Sequence, residues 1–254
     1  MPNREAFKLA ATRAIEGSEG GFLGIGRLSE KAMHRALKLY YEPNEAYHEV
    51  ECLGSVADIK NEWGIIEIQR ASLSYMIPKL KCFLPEYRVR VVHPVTVKKR
   101  VRWLNSETGE ITATGKITQG KRVQDVSFEL YKLREFIGNP NFELVLPLIE
   151  CDEYRLLDGW DKTRKKGATR LEAIPRELCD ELTFKAREDY LALIPNTLGD
   201  SFTEREFRAA IKSRSRYSYY ALRLSLDLSL IERHREGKCY VYTRGTKAPD
   251  NIKT

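Results

Sequence analysis

The stretch Val56-Ala57-Asp58-Ile59-Lys60-Asn61-Glu62-Trp63-Gly64-Ile65-Ile66-Glu67-Ile68-Gln69 decides the fold. A polar Asn-Glu-Trp-Gly segment between two runs rich in β-branched residues predicts a hairpin. If residues 61–64 close it symmetrically, Lys60 lies opposite Ile65, Ile59 opposite Ile66 and Asp58 opposite Glu67. Side chains alternate faces along a strand, so Asp58, Glu67 and Gln69 share one face while Ile59, Ile66 and Ile68 fill the other. Directly opposed residues hold their Cβ atoms ~4.5 to 5.5 Å apart, and like charges there are destabilising. A hard divalent cation between the two carboxylates removes the repulsion, and Mg²⁺ is typically held by one or two carboxylates plus substrate phosphate. Without the cation, removing either carboxylate should relieve the repulsion, so the alanine variants are expected to melt no lower. The competing reading is an exposed hairpin whose charges face water.

Working outward, residues 3–16 read as a short helix and residues 17–26 as a glycine-rich leader. Ser29 reads as an N-cap, with Leu28 and Met33 as a hydrophobic staple, opening a helix that puts Met33, Ala36, Leu37 and Tyr40 on one face. Strands are expected over 46–53, 55–60 and 65–69. Then come a helix over 72–84 interrupted at Pro78, a strand over 88–95, and a basic hairpin of 97–104 and 110–114. A helix over 124–136 and an apolar strand over 142–150 complete this part. Helices alternating with strands predict an α/β fold with a mixed sheet flanked by helices. Residues 159–174, polar and basic, read as a linker or protruding hairpin.

The C-terminal part follows different rules. Thr203 with Glu206 is a capping box, flanked by Phe202 and Phe207 at the staple positions. Residues 220–230 alternate apolar and other residues, which by period alone is a strand. Their apolar members are leucines, however, and leucine favours helix, so a helix largely buried around its circumference is expected. A hairpin of 231–234 and 239–242 around Glu236-Gly237 follows. Helix, turn, helix and hairpin in this order resemble a winged helix-turn-helix domain. The expected organisation is thus a leader with a short helix (1–28), a first domain (29–158), a linker (159–174), a winged-helix domain (175–245) and a tail (246–254).

The 43 Lys and Arg outnumber the 36 Asp and Glu, and the excess of +7 is clustered. Lys98, Lys99, Arg100 and Arg102 crowd the basic hairpin, Arg214, Arg216 and Tyr217 the start of the leucine-rich helix, and Arg235 and Lys238 the last hairpin. Clustered cations are the footprint of a phosphate-backbone partner, DNA being the one expected, while a solvated surface is the equal alternative on charge alone. The rival use of the winged-helix surface is packing against the first domain or a homodimer contact. Five scattered cysteines with no C-x-x-C pair, and four histidines without metal-ligand spacing, exclude a disulfide framework and a zinc site. No apolar run approaches a membrane span and the N-terminus lacks a signal-peptide centre, so a cytoplasmic location without membrane contact is expected.

At residues 56–69 the sequence resembles the PD-(D/E)xK nuclease superfamily, whose core is a helix, a strand hairpin carrying an Asp and then an acid-x-Lys pair, a crossover helix and a further strand. Asp58 matches the first acid, Glu67 the second, and Gln69 stands at the lysine position; the resemblance covers residues 29–95 in order and spacing. It implies a restriction-endonuclease-like core and a metal-dependent DNA nuclease, an endonuclease in type. Asp58 and Glu67 would hold Mg²⁺, or Mn²⁺ as a substitute, and Gln69 would orient the attacking water. Glu30 occupies the place of an additional acidic residue in many members. Glu51 is a further candidate ligand, and Lys79, on the following helix, a candidate replacement for the missing lysine. Glutamine can hydrogen-bond water but carries no charge and cannot act as a base. The alternative is therefore a DNA-binding regulator or adaptor with a catalytically inactive nuclease fold.

Overall fold

In the computed structural model, which describes residues 2–16, 32–105, 108, 110–156 and 169–245, the hairpin 56–69 sits inside a mixed sheet. The chain divides into two compact units, one of residues 1–71, 78–121 and 143–183, the other of residues 72–77, 122–142 and 184–254. The expected domains do not follow this division. Residues 122–142 join the second unit, and the boundary expected at 175 falls within a strand of the first.

The first unit opens with α1 (Arg4–Glu16) and α2 (Ala32–Tyr41). Far from being part of a leader, α1 buries Ala10, Ala11 and Ala14 against Ala36 and Leu39 of α2, because an alanine stripe lets two helices approach closely. Next come β1 (His48–Cys52), β2 (Ser55–Asn61), β3 (Gly64–Ile68), α3 (Ile77–Phe83), β4 (Val89–Val92), β5 (Val95–Leu104), β6 (Ile111–Gln119), β7 (Phe142–Leu156) and β8 (Arg170–Phe184). The strand order is β1-β2-β3-β4-β7-β5-β6, with β8 also paired to β7. β3 and β4 run parallel, as do β5 and β7, while β1, β2 and β3 form an antiparallel meander. Ile59, Ile66 and Ile68 meet Phe7, Met33 and Leu37 in the main core, which is the face expected of the three isoleucines.

The hairpin register is the expected one, Ile59 with Ile66, Lys60 with Ile65 and Asn61 with Gly64. Gly64, at φ +138°, is required there: a Cβ would come within 2.4 Å of the Arg88 carbonyl oxygen, where the chain leads into β4. Pro78 lies in the first turn of α3 instead of interrupting a longer helix, since proline costs nothing where the N–H has no intrahelical partner; a 3-10 turn over Leu73–Met76 precedes it. Residues 170–174, expected in a linker, belong to β8, whose acidic and basic residues disguised a strand that buries Glu172, Ala173 and Ile174. The expected Ser29 cap, Glu30, residues 17–28, 157–168 and the tail lie outside the described residues.

The second unit contains α4 (Ser127–Lys132), β9 (Ser201–Thr203), α5 (Glu204–Ile211), α6 (Ser215–Asp227), β10 (Ile231–Glu236) and β11 (Cys239–Arg244). Thr203 and Glu206 form the capping box at the start of α5. Phe202 stacks on Phe207 and on Tyr242, each at 5.9 Å between ring centres. The alternating segment is helical, as leucine propensity implies. It buries one broad face, Ser218, Ala221, Leu222, Leu224 and Ser225, and leaves Tyr219 and Arg223 exposed, so it is not enclosed all round. The buried serines satisfy themselves locally, Ser218 Oγ donating to the Ser215 carbonyl and Ser225 Oγ to that of Ala221. β10 and β11 form a hairpin, and β9 pairs with the other side of β11.

Candidate active site

Asp58 and Glu67 come off adjacent strands of the hairpin, but their ladder stops one residue short. Ile59 and Ile66 are the last pair, and the Asp58 carboxylate instead accepts the Ile68 N–H at 2.7 Å. Its Oδ2 also lies 3.2 Å from His34 Nε2 on α2. Burial pushes the Asp58 carboxyl up, yet the His34 ring, the Ile68 amide and the Lys79 ammonium together outweigh it and hold the group below its ordinary value. Asp58 is thus kept ionised.

Glu67 is the opposite case. It is 2 % exposed, so its charge does not face water. Burial and the charge of Asp58 push its carboxyl up to about 7, against the pull of Lys79 and of the Asp58 backbone N–H. Lys79, near the start of α3, donates to both Glu67 oxygens, at 2.9 and 2.8 Å, and to the Val56 carbonyl at 2.7 Å. The crossover helix therefore returns to the carboxylates a cation that the hairpin alone does not supply. Two carboxylates pushed apart in protonation by one shared environment make this pair the candidate site.

Gln69 follows β3, half-buried, and its side-chain oxygen accepts the Ala71 N–H at 3.2 Å, while His93 Nδ1 lies 2.6 Å from its backbone carbonyl. Glu51 is exposed on β1, and its side chain makes no hydrogen bond or ion pair among the described residues. Glu30 lies outside those residues. Of the expected acids among the described residues, Asp58 and Glu67 converge and Glu51 does not. No cluster of three or more His, Cys, Asp and Glu able to hold a metal occurs among the described residues. The donor set is a pair of hard oxygen ligands, one of them buried at a raised pKa. That fits an ion of the Mg²⁺ kind, which takes one or two carboxylates and completes its shell with water and phosphate, and does not fit a closed protein cage.

The basic residues separate into committed and free groups. Arg102 is held by Asp152, at 3.1 and 3.2 Å, and by the Thr114 hydroxyl, so it is a structural ion pair of β5 with β7. Lys99 lies 3.8 Å from Glu153, and Lys98 is exposed. Arg100 lies half-buried beside Glu150 and Asp152. In the second unit the Arg216 guanidinium stacks 3.8 Å over the Phe128 ring. Arg214 is exposed at the N-cap of α6, and Tyr217 is half-buried one turn on. Arg235 donates through Nε to the Gly237 carbonyl in the β10–β11 turn, where Lys238 is exposed. His34, which meets Asp58, and Arg70 were not legible as site residues in the sequence. A histidine one helix away and an arginine just past a strand carry no spacing signal of their own.

No helix among the described residues is long and apolar enough to cross a membrane. No solved structure matches the chain. A protein of Treponema pallidum (strain Nichols), described as an uncharacterized protein, is 30 % identical over 143 residues, which is 56 % of this chain and 57 % of that relative. The chain thus spans little more than half the length of the relative it matches. The family described as "Domain of unknown function (DUF8091)" matches residues 31–185, which take in the hairpin, Lys79 and all eight strands of the large sheet, and the chain belongs to this family.

Proposed function

We propose that the chain is a Mg²⁺-dependent DNA nuclease of the PD-(D/E)xK type, an endonuclease able to use Mn²⁺, with a C-terminal winged helix that aids DNA binding in the cytoplasm. The observation that carries this reading is the Asp58–Glu67 pair with Lys79 closed onto Glu67. Asp58, ionised and aligned by His34 and the Ile68 amide, and Glu67, when it gives up its proton, would hold the ion. The ion would supply a water of lowered pKa and neutralise phosphate charge. Lys79 would balance the charge that develops on the phosphate, the part the superfamily assigns to the lysine missing at Gln69. Gln69 would orient the attacking water once its amide leaves Ala71.

The order β9, α5, α6, β10, β11, with β9 beside β11, supports the winged-helix reading, with α6 as the recognition helix. Because Arg216 stacks on Phe128, Arg214 at the cap and Arg235 and Lys238 on the wing become the main phosphate contacts. A second reading, a DNA-binding regulator or adaptor with an inactive nuclease fold, is favoured by one observation: the Gln69 amide is already engaged by Ala71.

Incubation with supercoiled plasmid and linear DNA, in Mg²⁺, Mn²⁺ or chelator, separates the readings. Metal-dependent nicking supports the nuclease. Binding without cleavage in either metal supports the second reading, and in that case Arg214→Ala with Lys238→Ala should flatten the plot of log affinity against log salt by ~0.9 for each phosphate no longer neutralised. A protein that neither cuts nor binds DNA defeats both and leaves the homodimer contact as the use of this surface.

A further inference from the structure

A cavity of about 650 Å³ opens in the first unit beyond the carboxyl ends of the parallel strands β3 and β4. Arg70 and Ala71 line it directly after β3, and Pro94 directly after β4. In sheets of this kind the crevice outside the carboxyl ends of the strands is the usual place for a ligand. Four cations face this cavity, Arg70, Lys99, Lys121 and Arg170, against the two acids Glu153 and Glu172.

The acids are already engaged. Glu172 accepts the Ala32 N–H at 2.6 Å. Glu153 is shared by Arg155 at 2.5 Å, Arg170 at 3.3 Å and Lys99 at 3.8 Å. Arg70 and Lys121 remain: neither side chain makes a hydrogen bond or ion pair among the described residues. Lys121 is exposed, but Arg70 is half-buried; its burial disfavours the charge, the nearby Glu172 carboxylate offsets this only in part, and Arg170 adds repulsion. Arginine is rarely buried without a partner. No fully buried side-chain nitrogen or oxygen among the described residues lacks a hydrogen bond, so the Arg70 nitrogens keep accessible surface, and Arg70 lines the cavity. Gly120 lets the chain after β6 approach the start of β5 closely along the cavity wall, since a Cβ there would come within 2.2 Å of the Thr96 carbonyl oxygen.

We propose that this cavity binds the phosphate monoester of a nucleotide, with the Arg70 guanidinium gripping the phosphate and Lys121 completing its charge. Two cations whose donors are not taken by a hydrogen bond or ion pair match a dianion, and the planar fork of arginine matches two phosphate oxygens at once. The volume exceeds that of a phosphate alone and lies in the range of small-ligand pockets. Met33, Pro94 and Ala173 provide an apolar wall for the base. The ligand is either a free nucleotide or the phosphorylated end of a strand. The inference does not depend on the nuclease reading, because none of these residues belongs to the Asp58–Glu67 pair.

Binding to the full chain, measured by calorimetry in chelator so that no cleavage intervenes, tests it with dAMP, deoxyadenosine, succinate, and a short oligonucleotide carrying a 5′-phosphate or a 5′-hydroxyl. dAMP should bind about tenfold or more tighter than deoxyadenosine. Arg70→Gln and Lys121→Gln should each remove most of that preference, and Arg70→Lys should restore part of it. Lys116→Gln, the same loss of charge on the exposed face of β6, should leave it intact. A 5′-phosphate effect on the oligonucleotide larger than that on the mononucleotide identifies the strand end as the source, and the reverse identifies the free nucleotide. Equal binding of phosphorylated and unphosphorylated ligands, or equal binding of succinate and dAMP, overturns the proposal, and these comparisons use the wild-type protein alone.

Discussion

Two hairpins of this protein each hold a histidine against a carboxylate, with opposite results. In the first unit, His34 Nε2 lies 3.2 Å from Asp58, the two side chains 22 % and 17 % exposed. In the second, His234 Nε2 lies 2.8 Å from Glu236, 49 % and 64 % exposed. The shorter contact is the less consequential. β3 lies between β2 and β4 beneath the helices, so all five of its residues are buried and desolvation moves Glu67 to about 7. β10 is the edge of a three-stranded sheet and buries only Ile231, so its charges remain in water, where such pairs contribute ~0 to 1 kcal/mol. Similar residues on similar hairpins acquire different chemistry because of what packs around them.

The widest separation between the hairpins should be in cleavage. Glu67→Gln and Asp58→Asn should each lower metal-dependent nicking of supercoiled plasmid by ~10² to 10⁴-fold, the range for removing one positioned group, whereas Glu236→Gln should leave it unchanged. Retention of full cleavage by either of the first two variants would remove the pair from the mechanism.

A second separation is in pH dependence. The Glu67 proton competes with metal, so Mg²⁺ affinity should fall ~tenfold for each pH unit below about 7 and level off above it. Stability of the metal-free protein should show the linked effect. Glu67 has a folded-state pKa above its unfolded one, so the stability its proton contributes is complete below about 4.5 and is lost as pH rises through about 7. Denaturant unfolding of Glu67→Gln between pH 5 and 8 should therefore be flatter than that of wild type. Parallel curves would mean that Lys79 compensates the charge in full.

Asp58→Ala extends the contrast to stability. Relief of carboxylate repulsion alone implies a variant that melts no lower. The Asp58 carboxylate, however, is the acceptor for the Ile68 N–H, and leaving that donor unpaired should cost ~1 to 3 kcal/mol. His234→Ala, on the exposed hairpin, should stay within about 0.5 kcal/mol of wild type. An Asp58→Ala protein as stable as wild type would show that water replaces the carboxylate at Ile68.

The smallest effect concerns the second unit's own local order. Thr203→Ala removes the hydroxyl that accepts the Glu206 N–H and should cost ~1 kcal/mol by thermal unfolding. A neutral result would mean that the Phe202–Phe207 stack alone starts α5.

The sequence by itself determined the features whose causes are local. The Asn61–Gly64 turn and the alternation around it specify the register of the hairpin, because a slip of one residue would turn Ile59, Ile66 and Ile68 to the wrong face. The Thr203–Glu206 box starts α5, and leucine propensity prevails over an alternating pattern in α6, because caps and rotamer freedom act within a turn or two. The remaining features have long-range causes. β8 was illegible because its charges are balanced by residues of other strands, as Glu153 of β7 does for Arg170. Lys79 reaches Glu67 only because α3 crosses back over the sheet, and Arg70 faces a cavity only because β3 and β4 end side by side. The charge state of a carboxylate depends on how much water its neighbours exclude, and those neighbours, for Glu67, come from parts of the chain that no spacing rule connects.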